Sequence, residues 1–381
     1  MEWLLLPVGI SLIFAGIADV FLTVLHPDGF GFLSSRLYGG LFYSMRFLTR
    51  PMPQRLRALV LSMAAPLMVP IVIGVWIILV LAGYACVYYV GMNGETFYFE
   101  NPVLGPTFGE ALYVSGTAIS TLGFGDVAPT SGVYQALAVS EGLMGFGILT
   151  LSVTYVVGIH GVLQHLGILA AGLLHQASDT AEPSSILKPH FPDGEPRDLD
   201  HHVMTFHRGL VEVYEGLRRY PVVYYYHSRR PYRSLPYAFH MIGGVTAALR
   251  WGLPKDHPGS QIPWLPTLIT GFDMVTTFLN ERFLSERLEE APSPVPFETF
   301  RATLEHGKEP SDPWLERFFE MQRFMLDLAR LEGPPDTKES YDRYKNWLPF
   351  AQRSQTFFEA SARDLGYELH ELDRNPDKRL F

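Results

Sequence analysis

The chain has 381 residues, 48% of them hydrophobic, with a formal net charge of −9 and a single cysteine, Cys86. The acidic balance argues against a nucleic-acid partner, and one cysteine excludes an intrachain disulfide or a cysteine-based metal site. Apolar residues concentrate in three nearly uncharged stretches, residues 3–25, 60–92 and 133–159, and each exceeds the ~20 residues that a spanning helix needs.

The N-terminus, Met-Glu-Trp-Leu-Leu-Leu, lacks a positively charged flank. It reads as a membrane anchor rather than a cleaved leader, which makes residues 1–27 a transmembrane helix. Residues 28–57 follow, with Arg36, Arg46, Arg50, Arg55 and Arg57 against Asp28 alone. The positive-inside rule places this segment on the cytoplasmic side. Within it, residues 30–48 alternate Phe32, Leu37, Tyr38, Phe42 and Met45 with Arg36 and Arg46, a pattern that predicts a helix lying along the inner interface. After the second stretch come Glu95, Glu100 and Glu110 without Lys or Arg, so that loop is external. The N-terminus is then outside and the C-terminal region cytoplasmic.

Residues 108–119 are long enough for a short helix but carry Glu110, Tyr113, Ser115 and Thr117. Such a helix is too polar to face lipid and fits a re-entrant element surrounded by protein. Directly after it stands Ser120-Thr121-Leu122-Gly123-Phe124-Gly125-Asp126, and the third apolar stretch follows. The two glycines permit backbone geometry closed to other residues. The third stretch is itself rich in glycine, at Gly142, Gly145, Gly147 and Gly158, and holds Glu141 at membrane depth. An ionisable residue there is a functional candidate, as a brace for the preceding helix through Thr117 or Tyr113 or as a charge acting on permeation. Asp19, near the inner end of the first stretch, is expected to reach the interface or cap a neighbour.

This arrangement resembles the outer helix, pore helix, filter and inner helix of bacterial two-transmembrane potassium channels, over residues 58–161. The resemblance implies an all-α membrane protein, a homotetrameric pore-loop channel in the bacterial inner membrane, carrying an extra N-terminal helix. It implies that backbone carbonyls of Thr121, Leu122, Gly123 and Phe124, with Gly125 completing the run, replace the hydration shell of K+. The Thr121 hydroxyl adds the innermost ring. Ser120, Asp126, Thr117 and Glu141 support the filter. K+ in the filter is then the only ion held, and no cofactor is expected. Gly145 lies twenty positions after Gly125, which resembles the spacing of the family's hinge glycine, with Gly147 as the alternative. Val153, Val157 and Gly161 fall at the inner gate. The chain departs from the pattern at Leu122 (Val in the family), Phe124 (Tyr), Ser120 (Thr) and Thr117 (Glu in some members). Filter rigidity therefore has to be built differently here.

Beyond residue 161 the chain turns charged, and its first lysine is Lys188. Residues 162–196 read as a helical connector and linker: Val162, Leu166, Leu169 and Leu173 space like a short coiled-coil seam, and residues 181–195 hold Pro183, Pro189, Pro192 and Gly194. Residues 197–381 read as a helical cytoplasmic domain. Helices are predicted from an Asp198 or Asp200 cap to about Tyr220, over 235–251, over 263–290, along the Trp314, Phe318, Met321, Met325, Leu328 face with Ser311 as cap, and over 336–364 with a bend or break at Pro349. No nucleotide-binding glycine motif or β-roll pattern is present. Arg218, Arg219, Arg229, Arg230 and Arg233, set among tyrosines, suit an anionic ligand or lipid headgroup, or else pair with acids such as Glu212 and Glu215. His201, His202 and His207, or His160 and His165 past the inner mouth, are candidate pH sensors or plain structural histidines. No motif for an enzyme stands out. The leading expectation is a potassium-selective channel gated by the inner helix and the cytoplasmic domain, with membrane lipid and its own copies as partners. The alternatives are a weakly selective cation channel, and a membrane-anchored sensor or scaffold with a vestigial pore.

Overall fold

The computed structural model describes residues 2–29, 31–101, 105–178, 182–284, 292–306, 312–332 and 336–372. Among them, three helices are long and apolar enough to cross a membrane: Leu5–Leu25, Gln54–Gly91 and Gly132–Gln176. The chain divides into two compact units, residues 1–161 with 216–226, and residues 162–215 with 227–381.

In the first unit, α1 (Leu5–Val20) ends in a π-helical turn, Phe21–Leu25. It is followed by α2 (Phe32–Leu48), α3 (Gln54–Gly91), β1 (Phe97–Phe99), α4 (Phe108–Ile119), β2 (Val127–Pro129) and α5 (Gly132–Gln176), whose last turns belong to the second unit. Glycines let α1 lie against α3. A Cβ on Gly9 would come within 2.6 Å of the Gly83 carbonyl, and one on Gly83 within 2.7 Å of the Gly9 carbonyl. Small residues of this kind let helices approach closely where the lipid supplies no hydrophobic drive. Asp19 fastens the corner below. Fully buried, it accepts from the Trp76 indole at 2.7 Å, from the backbone N–H of Leu33 at 2.7 Å and of Ser34 at 3.2 Å, and from the Ser34 hydroxyl. A carboxylate at the N-terminus of α2 satisfies orphan donors and opposes the helix dipole, so Asp19 caps a neighbour.

The sequence reading contained no strands. β1 and β2 form one antiparallel pair, Phe97 with Pro129 and Phe99 with Val127, tying the loop after α3 to the segment after residue 126.

In the second unit, α6 (Pro183–Leu187) forms inside the stretch read as linker, since Pro183 takes the first helical position, where its missing N–H costs nothing. Then come α7 (Leu199–Arg219, its last turn in the first unit), α8 (Leu235–Ala247), α9 (Leu265–Arg282), α10 (Phe297–His306), α11 (Pro313–Leu328), α12 (Thr337–Leu365) and α13 (Leu369–Leu372). Almost all of α8 is buried, and aromatic rings of Phe239, Phe272, Phe350 and Phe357 meet around it. Two boundaries differ from expectation. Helix α12 runs unbroken through Pro349. Helix α11 is capped by Asp312, whose carboxylate accepts from Trp314 N–H at 2.8 Å and Leu315 N–H at 2.9 Å. The Ser311 cap, Phe30 and the predicted end of a helix at Glu290 lie outside the described residues.

Candidate ion-conduction site

Helix α4 is set by its ends. Thr107 caps it, accepting from the Glu110 N–H at 3.2 Å. At the other end, the Thr117 carbonyl accepts from both Leu122 N–H (3.0 Å) and Gly123 N–H (3.3 Å), and the Ala118 carbonyl from Thr121 N–H (3.0 Å). The carbonyls left orphaned by the helix end thus receive the first amides of residues 121–125.

The backbone of that run alternates in handedness. Thr121 has φ 59°, Gly123 53° and Gly125 86°, whereas Leu122 and Phe124 keep negative φ. Alternation flips every second peptide plane, so successive carbonyls project to one side instead of opposite sides. Gly supplies two of the left-handed positions without strain, while Thr121 stores strain of the kind that persists where the surroundings impose it. Among the described residues, no backbone N–H reaches the carbonyls of residues 121–125. A row of unpaired carbonyls requires water or a cation as partner.

Two braces hold the run. At one end, the Tyr113 hydroxyl of α4 donates to Asp126 at 2.9 Å to each carboxylate oxygen. Behind it, Glu141 of α5 is fully buried and accepts from the Tyr88 hydroxyl of α3 at 2.8 Å and from the Ser115 hydroxyl of α4. Ser115 also donates to the Leu81 carbonyl at 2.9 Å, so three helices meet at one carboxyl. Glu141 was expected to reach Thr117 or Tyr113. Thr117 instead donates to the Val114 carbonyl at 2.9 Å, and Ser115, one helical turn from the end of α4, faces Glu141.

Helix α5 lies against the end of α4 through glycine. A Cβ on Gly145 would stand 2.2 Å from the Ile119 carbonyl, and one on Gly142 3.3 Å from the Ala118 carbonyl. Gly147 and Gly161 have open space at that position. The helix is continuous past Gly145 and Gly147. Phe146, Leu149, Val153 and Val157 are 58–67% exposed along one stripe. The arginines divide: Arg218 and Arg219 belong to the first unit, Arg229, Arg230 and Arg233 to the second.

Residues 71–159 match a family model described as ion channel. The segment is similar to pore-loop ion channels. Its match starts within α3 and ends in α5, enclosing α4, the 120–126 run and both braces. The chain is also 24% identical over 257 residues to the uncharacterized membrane protein YdjJ of Bacillus subtilis (strain 168), covering 67% of this chain and 72% of that one. No solved structure matches the chain. The protein is a membrane protein, and among the described residues its fold is helical apart from the short β1–β2 pair.

Proposed function

We propose that four copies of the chain surround one pore and conduct K+ selectively through residues 121–125. The observation that carries this reading is the alternating handedness at Thr121, Gly123 and Gly125, with unpaired carbonyls along the run. Carbonyl dipoles in rings replace the hydration shell of a permeating cation, and one chain supplies one wall of each ring. The side chains of Leu122 (62% exposed) and Phe124 (69%) have no cover within the chain, which suits burial against a neighbouring copy. Asp126 at the outer mouth and Glu141 behind the filter act as braces. The exposed stripe through Val153 and Val157 lines the inner path, with the C-terminal region in the cytoplasm and Gly145 or Gly147 available for bending.

The test is flux from liposomes holding the purified protein, alongside Gly123→Ala, a substitution that strains a position at φ 53°. Wild-type protein is expected to release K+, and the variant to assemble at the same mass and release none. Release that is equal for K+ and Na+ supports a weakly selective channel instead. No release under any condition supports a sensor or scaffold with a vestigial pore.

A further inference from the structure

Residues 216–226 lie more than fifty positions beyond the last pore residue, yet they fold into the membrane unit. They form the last turn of α7 and a tight 3-10 turn, Pro221–Tyr225, with Val222, Val223 and Tyr224 almost fully buried. Four contacts pin this strap. The Arg218 guanidinium pairs with Asp28 at 2.5 Å, and beside it Gly29, at φ 53°, approaches so closely that a Cβ would stand 2.2 Å from the Arg219 carbonyl. The Tyr225 ring lies 5.1 Å from the Phe42 ring of α2. The Tyr220 ring lies 5.5 Å from the Tyr155 ring of α5, and its hydroxyl sits 2.2 Å from where a Cβ on Gly158 would be. Tyr155 in turn shares a hydroxyl–hydroxyl hydrogen bond of 3.1 Å with Tyr38 of α2.

The side of α5 on which Tyr220 rests decides what the strap does. At about 100° per residue, Tyr155 lies roughly opposite Val153 and Val157, and Gly158 lies about 100–140° round the helix from them. Val153 and Val157 are 58% and 67% exposed, whereas Tyr155 is 1% exposed. Tyr220 therefore stands behind the stripe that lines the inner path. Any movement of the lower part of α5 away from that path runs into the strap. A side chain at 158 would occupy the space of the Tyr220 hydroxyl, which accounts for glycine there.

We propose that residues 216–226 are a backstop for the inner helix, with Tyr220 and Arg218 as positioning residues that hold the lower part of α5 inward and set how readily the path opens. The strap is continuous in sequence with α7, so a pull on it from the cytoplasmic chain would reach α5 directly. This inference rests on the proposed channel reading.

The experiment uses the full-length protein in planar bilayers. Tyr220→Ala and Arg218→Gln are expected to raise open probability at least threefold, with unitary conductance and reversal potential unchanged. Gly158→Ala should act in the same direction by displacing Tyr220, and should add nothing in the Tyr220→Ala background. Exchanging the charges, Asp28→Arg with Arg218→Asp, should bring open probability back toward wild type, which mere damage to folding would not allow. Unchanged or lowered open probability in Tyr220→Ala would overturn the proposal. If wild-type protein passes no cation, the channel reading fails, and the backstop is judged separately. In a Cys86→Ala background, Val157→Cys should react with a soluble thiol reagent several times faster once Tyr220 is Ala, and an equal rate would reject the backstop.

Discussion

Tyr113 and Asp126 are joined across residues 121–125 by a hydroxyl that donates to both carboxylate oxygens at 2.9 Å. The bond links α4 to the residue that follows Gly125, so it resists collapse of a backbone already strained at Thr121. Tyr113→Phe is expected to leave conductance intact and shorten the conducting lifetime of the filter severalfold in steady recordings. Asp126→Asn should do the same to a lesser degree, since an amide oxygen still accepts. An unaltered lifetime in Tyr113→Phe would remove the bond from filter support.

Glu141 is the second brace. Glu141→Ala strands the buried Tyr88 hydroxyl, whereas Ser115 keeps the Leu81 carbonyl as acceptor, and a buried group left unpaired costs ~1–3 kcal/mol. The protein should lose thermal stability by several degrees and recover most of it in Glu141→Gln, which keeps an acceptor for Tyr88. Melting of the detergent-solubilised protein measures this. If Gln and Ala behave alike, the carboxyl's charge rather than its acceptor geometry is what matters.

The glycines of α5 separate by the space around them. Gly145→Ala forces a methyl to within 2.2 Å of the Ile119 carbonyl, a backbone atom that cannot step aside. Overpacking of this kind costs ~1–3 kcal/mol, and the filter end of α4 should be displaced with it. Gly147→Ala meets nothing within 4 Å, so stability should hold or rise slightly through helix propensity. Open probability of Gly147→Ala then reads bending alone: a fall assigns the bend to 147, and no change leaves it elsewhere.

How much of this was legible in the sequence depends on the range of the interaction. The spans and the α4 helix are local patterns, and they stand where the sequence puts them. The partners of Glu141 were misplaced by two residues on α4, because periodicity gives a helix face only to within a turn, and Ser115, Thr117 and Tyr113 differ by rotation. The left-handed Thr121 was invisible, since nothing in a threonine signals positive φ; the capture of its N–H and its neighbours' by the end of α4 imposes it. The strap was unreadable for a different reason. Arg218 and Tyr220 find Asp28 and Gly158 across long stretches of chain, and a cluster of arginines in sequence gave no sign that it would be divided between two units.

In the second unit, His202 offers a pH handle. Its ring centroid lies 4.2 Å from that of His190 and 6.1 Å from that of His201. Burial, then the neighbouring His190 and His201, holds its pKa below the ordinary imidazole value, against a raising effect of Asp198. A depressed histidine pKa means the unfolded chain takes the proton first. The stability is therefore full above about pH 6.5 and is lost as pH falls below that toward the depressed folded value. Burial lowers His257 as well, so both act in one direction. The protection of the first turn of α7 in the full-length protein, read from amide exchange corrected for the intrinsic pH dependence of the rate, should fall from pH 7.5 to 5.5. His202→Gln should flatten most of that slope, and a slope unaffected by the substitution would place the titration on His257.

The central claim is selective conduction by the carbonyls of residues 121–125, and it is tested most directly by the reversal potential of the reconstituted protein with K+ on one side and Na+ on the other. A current whose reversal potential is displaced far from zero in the direction that marks K+ as the permeant ion, and that vanishes in Gly123→Ala, is the predicted result. A current that reverses near zero, or one that survives Gly123→Ala, would contradict it.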